Sequence, residues 1–168
     1  MIATIADPLI DPVTTGIPFL SATVLARRRR GNLKFLIMRT VKKYGKDAGL
    51  ELWKVPGGMQ EFSDSANPLR TLNRELEEET GFYLRPDHKV DPPVLQRERT
   101  PDGHFRYFYL LWRNDVRGEL RTSVKEDDKS ILYVPTWEDI EFFEKYLCKS
   151  QRGILFKLRR LSATGSLC

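Results

Sequence analysis

The chain has 168 residues, of which 40% are hydrophobic and 30% charged, and its formal net charge is +5. This length and apolar content suit one globular domain and exclude a disordered chain. The sequence has no 18-residue apolar run, so we predict no transmembrane helix and no membrane partner. Two late cysteines, Cys148 and Cys168, exclude a disulfide framework and favour a cytoplasmic location.

The N-terminal segment is rich in proline and threonine, and its apolar residues follow no helical or strand period. It contains acidic residues and has no Lys or Arg before Arg27, which argues against a secretory signal. We predict an N-terminal arm at residues 1–17, one domain at residues 18–162 and a flexible tail at residues 163–168.

Two apolar, β-rich segments, Pro18–Ala26 and Leu33–Val41, flank a basic run that ends in a Gly-Asn turn signal, and they predict a hairpin. Lys125–Lys129 is predicted as a charged loop. Further strands are predicted at Glu51–Val55, Phe82–Arg85, Val94–Glu98, Phe105–Arg113, Gly118–Thr122 and Ile131–Val134.

A central helix is predicted to begin after Asn67, a good N-cap that is followed by proline, and to end at Gly81. One stripe of this helix carries leucines, at Leu69, Leu72 and Leu76. Two later helices are predicted at Trp137–Leu147 and Ile154–Leu161. Strands mixed with helices indicate an α/β fold with a mixed sheet flanked by helices.

The central helix carries an acidic cluster in its last turns. Glu75, Glu78 and Glu79 share one face, whereas Glu77 points elsewhere. Like charges at these spacings cost roughly 0.2–0.5 kcal/mol per pair, and the helix dipole repels them further. Arg74 can pair with Glu77 or Glu78, but no Lys or Arg lies three or four residues from Glu75 or Glu79.

A divalent cation would compensate the three carboxylates on this face. Carboxylate oxygens are hard ligands that suit Mg²⁺ or Mn²⁺, and we favour such a site over a solvated, ion-paired helix. The Gly57-Gly58 pair precedes the helix, where glycine lets backbone atoms approach an ion or a phosphate closely.

The segment Arg74–Phe82, which reads RELEEETGF, resembles the core of the Nudix box, R-E-U-x-E-E-x-G-U with U apolar. The spacing departs from the family pattern, because Gly58 and Arg74 are two residues too far apart. Counting forward from Gly58 puts Asp64 at the position of the first glutamate of the box, and counting back from Arg74 puts Ala66 there. We interpret this as a two-residue insertion before the helix, with Asp64 as the substitute.

The resemblance implies a Nudix-like α/β/α sandwich with a mixed β-sheet and Mg²⁺- or Mn²⁺-dependent hydrolysis of a nucleoside diphosphate linked to a moiety X. It implies that Glu75, Glu78 and Glu79 bind metal or orient the attacking water, and that the Gly57 carbonyl is a further ligand. Arg74 is then expected to hold the carboxylates in place.

Other candidate residues have an ordinary structural explanation beside the functional one. Glu126, with Asp127 second, is a candidate additional ligand or base, or part of a solvated turn. Arg39 and Lys54 are positioned for phosphate contacts. Tyr107 is a candidate for stacking on a base, yet it alternates with other apolar residues along one strand face and also suits the core.

The substrate class stays open between nucleotide sugars, dinucleoside polyphosphates, oxidised nucleoside triphosphates, capped RNA and diphosphoinositol phosphates. The Arg27–Arg30 run could hold phosphates or RNA, although such runs usually face solvent. An RNA 5′ end as substrate has no RNA-binding module to support it. The alternative function is a catalytically silent Nudix-fold module that senses a nucleotide or acts as a scaffold.

Overall fold

The computed structural model describes residues 16–87 and 90–166. Most of the predicted N-terminal arm, residues 1–15, lies outside the described residues, as do the last two residues of the predicted tail. Ile17, at the end of the predicted arm, packs against the core. No described helix has the length and apolar character needed to cross a membrane.

Strands and helices alternate along the described chain. The strands are β1 (Phe19–Arg29), β2 (Asn32–Lys42), β3 (Glu51–Lys54), β4 (Gly57–Met59), β5 (Phe82–Leu84), β6 (Val94–Arg99), β7 (Phe105–Trp112), β8 (Val116–Gly118), β9 (Lys125–Glu126), β10 (Ser130–Leu132) and β11 (Thr136–Glu138). The α-helices are α1 (Pro68–Thr80), α2 (Ile140–Tyr146) and α3 (Leu155–Thr164).

The main sheet is mixed, as the sequence predicts. Its strand order is β6-β7-β1-β2-β10-β9, and in addition β3 and β11 pair with β2 while β4 pairs with β1. β1 runs parallel to β7 and antiparallel to β2 and β4. β5 and β8 form a separate antiparallel pair. The central position of β1 brings β4 and the chain that follows it to one end of the sheet.

Helices cover both faces of the sheet, which gives the predicted three-layer α/β/α sandwich. Leu72 and Leu76 of α1 pack on one face, with Tyr107 and Leu111 of β7. α2 and α3 pack on the other face, where Phe108 of β7 lies. The predicted apolar stripe of β7 is therefore core, and the strand is buried on its second face as well.

The predicted hairpin is present, but its turn is shorter than the basic run. Arg29 pairs with Asn32, so β1 and β2 extend through most of the run and leave only Arg30 and Gly31 at the turn. Both have positive φ angles, 51° and 82°, as a two-residue hairpin turn requires.

Several predicted boundaries in the second half of the chain are wrong. The strand predicted at Gly118–Thr122 lies earlier, at Val116–Gly118, and the predicted charged loop contains β9. The helix predicted from Trp137 begins at Ile140, because the preceding residues pair with β2 as β11 and the Asp139 side chain caps the helix. The last helix extends to Thr164, two residues beyond the predicted domain end.

Candidate functional site

Helix α1 begins and ends where the sequence predicts. The Asn67 side chain accepts a hydrogen bond from the Leu69 amide at 2.9 Å, and Pro68 occupies the first helical position. Gly81 ends the helix in the left-handed conformation, with φ 85°, and its amide donates to the Glu77 carbonyl. These ends fix which residues of the acidic cluster face the sheet.

The two glycines of β4 allow the chain to approach both the sheet and helix α1. Gly57 has φ 155°, and a Cβ atom there would collide with the backbone of Ser21 and Ala22 on β1. A Cβ atom on Gly58 would lie 2.5 Å from the carboxylate carbon of Glu75. Glycine is therefore required at Gly57, whereas a side chain at Gly58 would displace the Glu75 carboxylate.

Glu79 is buried at the centre of this site, with 6% of its surface exposed. One carboxylate oxygen accepts a hydrogen bond from Lys54 Nζ at 2.8 Å, and the other accepts from the Gly57 amide at 2.8 Å. Lys54 Nζ also donates to the Gly57 carbonyl oxygen at 3.2 Å. The Lys54 ammonium thus lies between two oxygen atoms that the resemblance implies as metal ligands.

Arg74 holds the opposite edge of the acidic face. It donates two hydrogen bonds to Asp64, at 3.0 and 3.1 Å, and one to Glu75 at 2.7 Å. Its distance to the exposed Glu78 carboxylate is 3.5 Å, and it also donates to the Met59 carbonyl oxygen. Arg74 therefore ties the loop before the helix to the carboxylates, which is the role that the resemblance implies for it.

Asp64 is almost fully buried and accepts further hydrogen bonds from the Thr71 hydroxyl and the Glu61 amide. Burial by itself favours the neutral acid, but the hydrogen bonds from Arg74, Glu61 and Thr71 outweigh it and lower the pKa of Asp64. The ionised carboxylate is thus the stable form. These contacts give Asp64 the supporting position that its place in the box suggests.

The two extra residues between Asp64 and helix α1 have an unusual backbone conformation. Ser65 and Ala66 both adopt left-handed conformations, with φ 52° and 55°, which is uncommon for residues other than glycine. They directly follow Asp64 and directly precede the N-cap residue Asn67. We infer that the insertion is absorbed here, which leaves both Asp64 and the helix start in place.

The structure corrects one expectation about the acidic cluster, that Glu75 and Glu79 lack charge partners. Glu75 and Glu79 do have cationic partners, Arg74 and Lys54, because one neighbours Glu75 in sequence and the other comes from β3. Within the described ranges, no three acidic, histidine or cysteine side chains are grouped as a metal site. Glu78 is the outlier, since half of its side chain is exposed.

The donor set nevertheless suits a divalent cation. Burial raises the pKa of Glu75 and the charge of Glu79 raises it further, against the opposing effect of Arg74. These two carboxylates are therefore close enough to repel each other, and a cation would relieve that repulsion. With the Gly57 carbonyl they provide hard oxygen ligands of the kind that Mg²⁺ and Mn²⁺ prefer.

A cleft of about 340 Å³ opens beside Glu79 and Lys54. Lys42 of β2 and Arg106 of β7 add positive charge to its walls, and Gln151 contributes an amide. A second cavity, of about 600 Å³, adjoins it. The two share the lining residues Asp47, Leu52, Arg106, Cys148 and Ser150. The two cavities therefore adjoin, and Glu79 is the residue of the acidic face that lines the first of them.

Three other predicted residues, Arg39, Glu126 and Tyr107, lie away from the centre of this site. Arg39 pairs with Glu51 and lies over the Tyr133 ring, on the opposite face of β2 from the cleft residue Thr40.

Glu126 is exposed and forms an ion pair with Lys43 at 2.7 Å. Tyr107 is 4% exposed and stacks on Tyr109 in the core, so its ring is not available to a base in this conformation. Of the two explanations offered for Tyr107, its burial supports a place in the core.

Arg121 is a supporting residue that the sequence does not indicate. Its side chain donates to the Glu79 carbonyl oxygen at 3.1 Å and to the Tyr133 carbonyl oxygen at 2.9 Å. It thereby fixes the C-terminal end of α1 to the chain that follows β10. Neither motif nor period marks Arg121, because its partners are backbone atoms distant in sequence.

Solved structures resemble this fold over most of its length. The MutT Nudix hydrolase from Burkholderia pseudomallei shares 23% identity, over 82% of this chain and 96% of its own, with a TM-score of 0.54. The Nudix domain of Shewanella oneidensis NrtR, in complex with ADP ribose, shares 18% identity over 87% and 88%, with a TM-score of 0.58. The C. elegans Ap4A hydrolase shares 17% identity over 89% and 99%, with a TM-score of 0.54.

At these identities the structural likeness shows the fold alone. No curated protein sequence matches the chain at a significant level. A family model described as the NUDIX domain, however, matches residues 18–156, which include β1, the glycines of β4 and the whole of α1. The chain therefore belongs to the Nudix family.

Proposed function

We propose that this chain is a pyrophosphohydrolase that depends on Mg²⁺ or Mn²⁺ and cleaves a nucleoside diphosphate linked to a moiety X, or a related polyphosphate. The observation that carries the proposal is that Gly57 and Glu79 line a cleft with cationic walls, while Glu75 lies close enough to Glu79 for their charges to interact. Oxygen donors for a metal and cationic groups for phosphates thus occupy the same place.

The metal would be held by Glu75, Glu79 and the Gly57 carbonyl, with Glu78 available at the exposed edge. When bound, such an ion neutralises charge on phosphate oxygens and lowers the pKa of water. Arg74 keeps Glu75 oriented through its own anchor on Asp64. Arg121 performs the equivalent task for the helix end that carries Glu79.

The cationic walls of the cleft suit the substrate's phosphate groups. Lys54 and Lys42 present ammonium groups that bind phosphate as point charges. Arg106 also lines the cleft, although it already contacts Glu98 and the Ser150 carbonyl oxygen. We also propose Glu126, and Asp127 as a minor candidate, as an additional ligand or base, and Arg39 as a phosphate contact. These roles would require the β9 loop or β2 to rearrange around substrate.

A nucleotide is the substrate class that we infer. Two Nudix structures of the same fold are described with ADP ribose and as an Ap4A hydrolase, and both names denote adenine nucleotides. The two adjoining cavities offer room for a substrate with groups on both sides of the scissile anhydride. Nucleotide sugars and dinucleoside polyphosphates are therefore the first compounds to test, before nucleoside triphosphates, capped RNA and diphosphoinositol phosphates.

The test is release of phosphate, pyrophosphate and monophosphate products from this panel, with Mg²⁺ or Mn²⁺ and with EDTA as control. Glu78→Gln is the first variant, because Glu78 is exposed and its loss leaves the fold intact. Glu77→Gln is its matched control. Glu77 is also exposed on α1, and its substitution removes the same charge from a position outside the acidic face. We expect metal-dependent turnover that Glu78→Gln lowers by at least about a hundredfold, which is the size of a lost transition-state charge contact, while Glu77→Gln retains it.

Two results would count against the proposal. Equal activity in Glu78→Gln and the native protein would remove Glu78 from the site, and equal activity with EDTA would remove the metal. Folded protein that binds a nucleotide but cleaves no member of the panel would favour the alternative function, a nucleotide-sensing module. A rise in melting temperature with Mg²⁺ alone would still support the cation site in that case.

A further inference from the structure

The two cavities beside the acidic face share one wall, which we call the junction. Lys54 and Glu79 line the first cavity and not the second. The junction consists of the residues that line both cavities: Asp47, Leu52, Arg106, Cys148 and Ser150. A substrate that extends from the acidic face into the second cavity would therefore pass along these five residues.

Asp47 belongs to a hydrogen-bonded turn between β2 and β3. Its carbonyl oxygen accepts a hydrogen bond from the Leu50 amide at 3.1 Å, and the Gly49 amide donates to the Lys42 carbonyl oxygen at 2.9 Å. Lys42 and Ala48 also form a β-bridge. These contacts tie the turn to the end of β2, so the backbone of Asp47 has a defined place in the wall of the cleft.

The negative charge of the junction is unpaired, whereas its positive charge is paired. Among residues 16–87 and 90–166, Asp47 forms no ion pair and its carboxylate accepts no hydrogen bond. Arg106 Nη1, by contrast, donates to the Glu98 carboxylate at 3.1 Å and to the Ser150 carbonyl oxygen at 2.6 Å. An unpaired carboxylate repels phosphate and accepts hydrogen bonds. The junction therefore suits an uncharged group that carries donors.

Neutral polar groups line the first cavity next to the junction. Thr40 is only 3% exposed, and its hydroxyl forms no hydrogen bond with the described part of the chain. The Gln151 amide oxygen accepts from the Val55 amide at 2.9 Å, so its NH₂ group is turned away from Val55 and is a donor for a ligand. Leu52 adds an apolar surface. A sugar, which has hydroxyl groups on an apolar ring, matches these surroundings.

We propose that Asp47 accepts hydrogen bonds from neighbouring hydroxyl groups of a sugar joined to the diphosphate, and that it selects substrates on this basis. The inference rests on the proposed function and narrows its substrate class to compounds with such a sugar next to the phosphates. The two oxygens of a carboxylate can accept from two hydroxyls, and acidic side chains bind ribose hydroxyls in dinucleotide-binding folds. In a nucleotide sugar, both the nucleoside ribose and the sugar of X carry such hydroxyls.

Three probes separate the two sugars: ADP, 2′-deoxy-ADP and ADP-ribose, each titrated into the full chain by calorimetry. EDTA is present, so that the proposed metal-dependent hydrolysis does not consume the probes. If Asp47 binds the nucleoside ribose, ADP should bind at least about tenfold more tightly than 2′-deoxy-ADP, the size of one charged hydrogen bond. If it binds the sugar of X, ADP-ribose should exceed ADP by the same factor. Equal affinity for all three probes, or no binding of any, overturns the proposal.

The variant Asp47→Asn keeps the shape of the side chain and removes its charge. Because the lost charge also repels phosphate, every probe gains some affinity, and the ratio between two probes is the informative quantity. We expect Asp47→Asn to reduce the preferred ratio to less than about threefold, since the charged hydrogen bond is lost. The matched control, Asp102→Asn, removes the same charge from an exposed turn outside both cavities and should keep the native ratio.

A native ratio that persists in Asp47→Asn, or that falls equally in Asp102→Asn, also overturns the proposal. If circular dichroism shows that Asp47→Asn is unfolded, Asp47→Ala decides the outcome by the same ratio. The test is separate from that of the proposed function, because binding is measured without metal. A sugar preference that depends on Asp47, in a protein that hydrolyses no member of the panel, would reject the hydrolysis and support the role of Asp47. Hydrolysis without such a preference would do the reverse.

Discussion

Lys54 balances the buried negative charge at the centre of the site. Its ammonium neutralises the buried Glu79 carboxylate and contacts the Gly57 carbonyl oxygen, two of the proposed metal ligands. Buried charges are tolerated only when they are paired in this way. A cation bound by these oxygens would compete with Lys54 for them, which would leave its ammonium available to substrate phosphates. Lys54 thus balances the charge of the acidic face when no metal is bound, and it is also a proposed contact for the substrate phosphates.

At the same scale, the ionisation of Asp64 is predicted to make the free energy of unfolding depend on pH in the acidic range. Its pKa is lowered in the folded chain, so its contribution is complete above the ordinary carboxyl pKa of about 4 and is lost as pH falls through the folded value. We expect Asp64→Asn to lower the free energy of unfolding at pH 7 by about 2–3 kcal/mol, the scale of charged hydrogen bonds.

The difference between Asp64→Asn and the native protein should shrink as the pH falls below about 4. Urea denaturation at several pH values measures it. Asp102→Asn, at an exposed turn, is the control and should have little effect at any pH. A difference for Asp64→Asn that stays constant from pH 7 to pH 3 would show that shape, and not ionisation, is what the site requires.

At the scale of single elements, helix α1 is defined by its two ends. The Asn67 cap and Pro68 set the start, and Gly81 sets the end, so interactions between residues close in sequence define the register of the acidic cluster. The left-handed pair Ser65-Ala66 then joins this helix to Asp64 without displacing either. We therefore infer that these two residues absorb the insertion in the loop before the helix.

Removal of the helix cap is predicted to destabilise the protein modestly. Asn67→Ala leaves the Leu69 amide without its side-chain acceptor, and we expect a loss of about 1 kcal/mol in the free energy of unfolding. Asn67→Asp keeps an acceptor at the same position and should retain most of the stability. Thermal denaturation of both variants makes the comparison. An equal loss in Asn67→Asp would show that the cap hydrogen bond is not responsible.

At the scale of the whole molecule, β1 and β7 join two cores into one structure. Leu72 of α1 lies in one core and Leu158 of α3 in the other, and both are fully buried. β7 contributes alternate side chains to both cores, through Phe108 on one face and Leu111 on the other. The helical layers are therefore expected to unfold together.

Truncation in either core is predicted to weaken the same cooperative transition. We expect Leu72→Ala and Leu158→Ala each to lower the free energy of unfolding by about 2–5 kcal/mol, as loss of buried leucine usually does. Leu50→Ala, at an exposed position, is the control. Tryptophan fluorescence and far-ultraviolet circular dichroism should give coincident denaturation curves for all three variants. Two separate transitions in either core variant would mean that the layers unfold independently.

The sequence by itself determines the features whose causes are local. Capping chemistry and helical period place α1, its leucine stripe and its acidic face, and strand signals place the first hairpin and β7. The Nudix-box resemblance adds the family and the fold. Because these signals depend on neighbouring residues only, the predicted ends of α1 agree with the structure to the residue.

Only the tertiary structure decides the features that depend on distant partners. Lys54 and Arg121 reach the acidic helix from other elements, and no spacing along α1 reveals them. Pairing with β2 likewise makes Trp137 part of a strand, although its local period predicts a helix. The burial of Tyr107 and the charge partners of Glu75 and Glu79 depend on what the sheet brings together. Hydrogen bonds and charges act through space, whereas a sequence pattern reports only what is close along the chain.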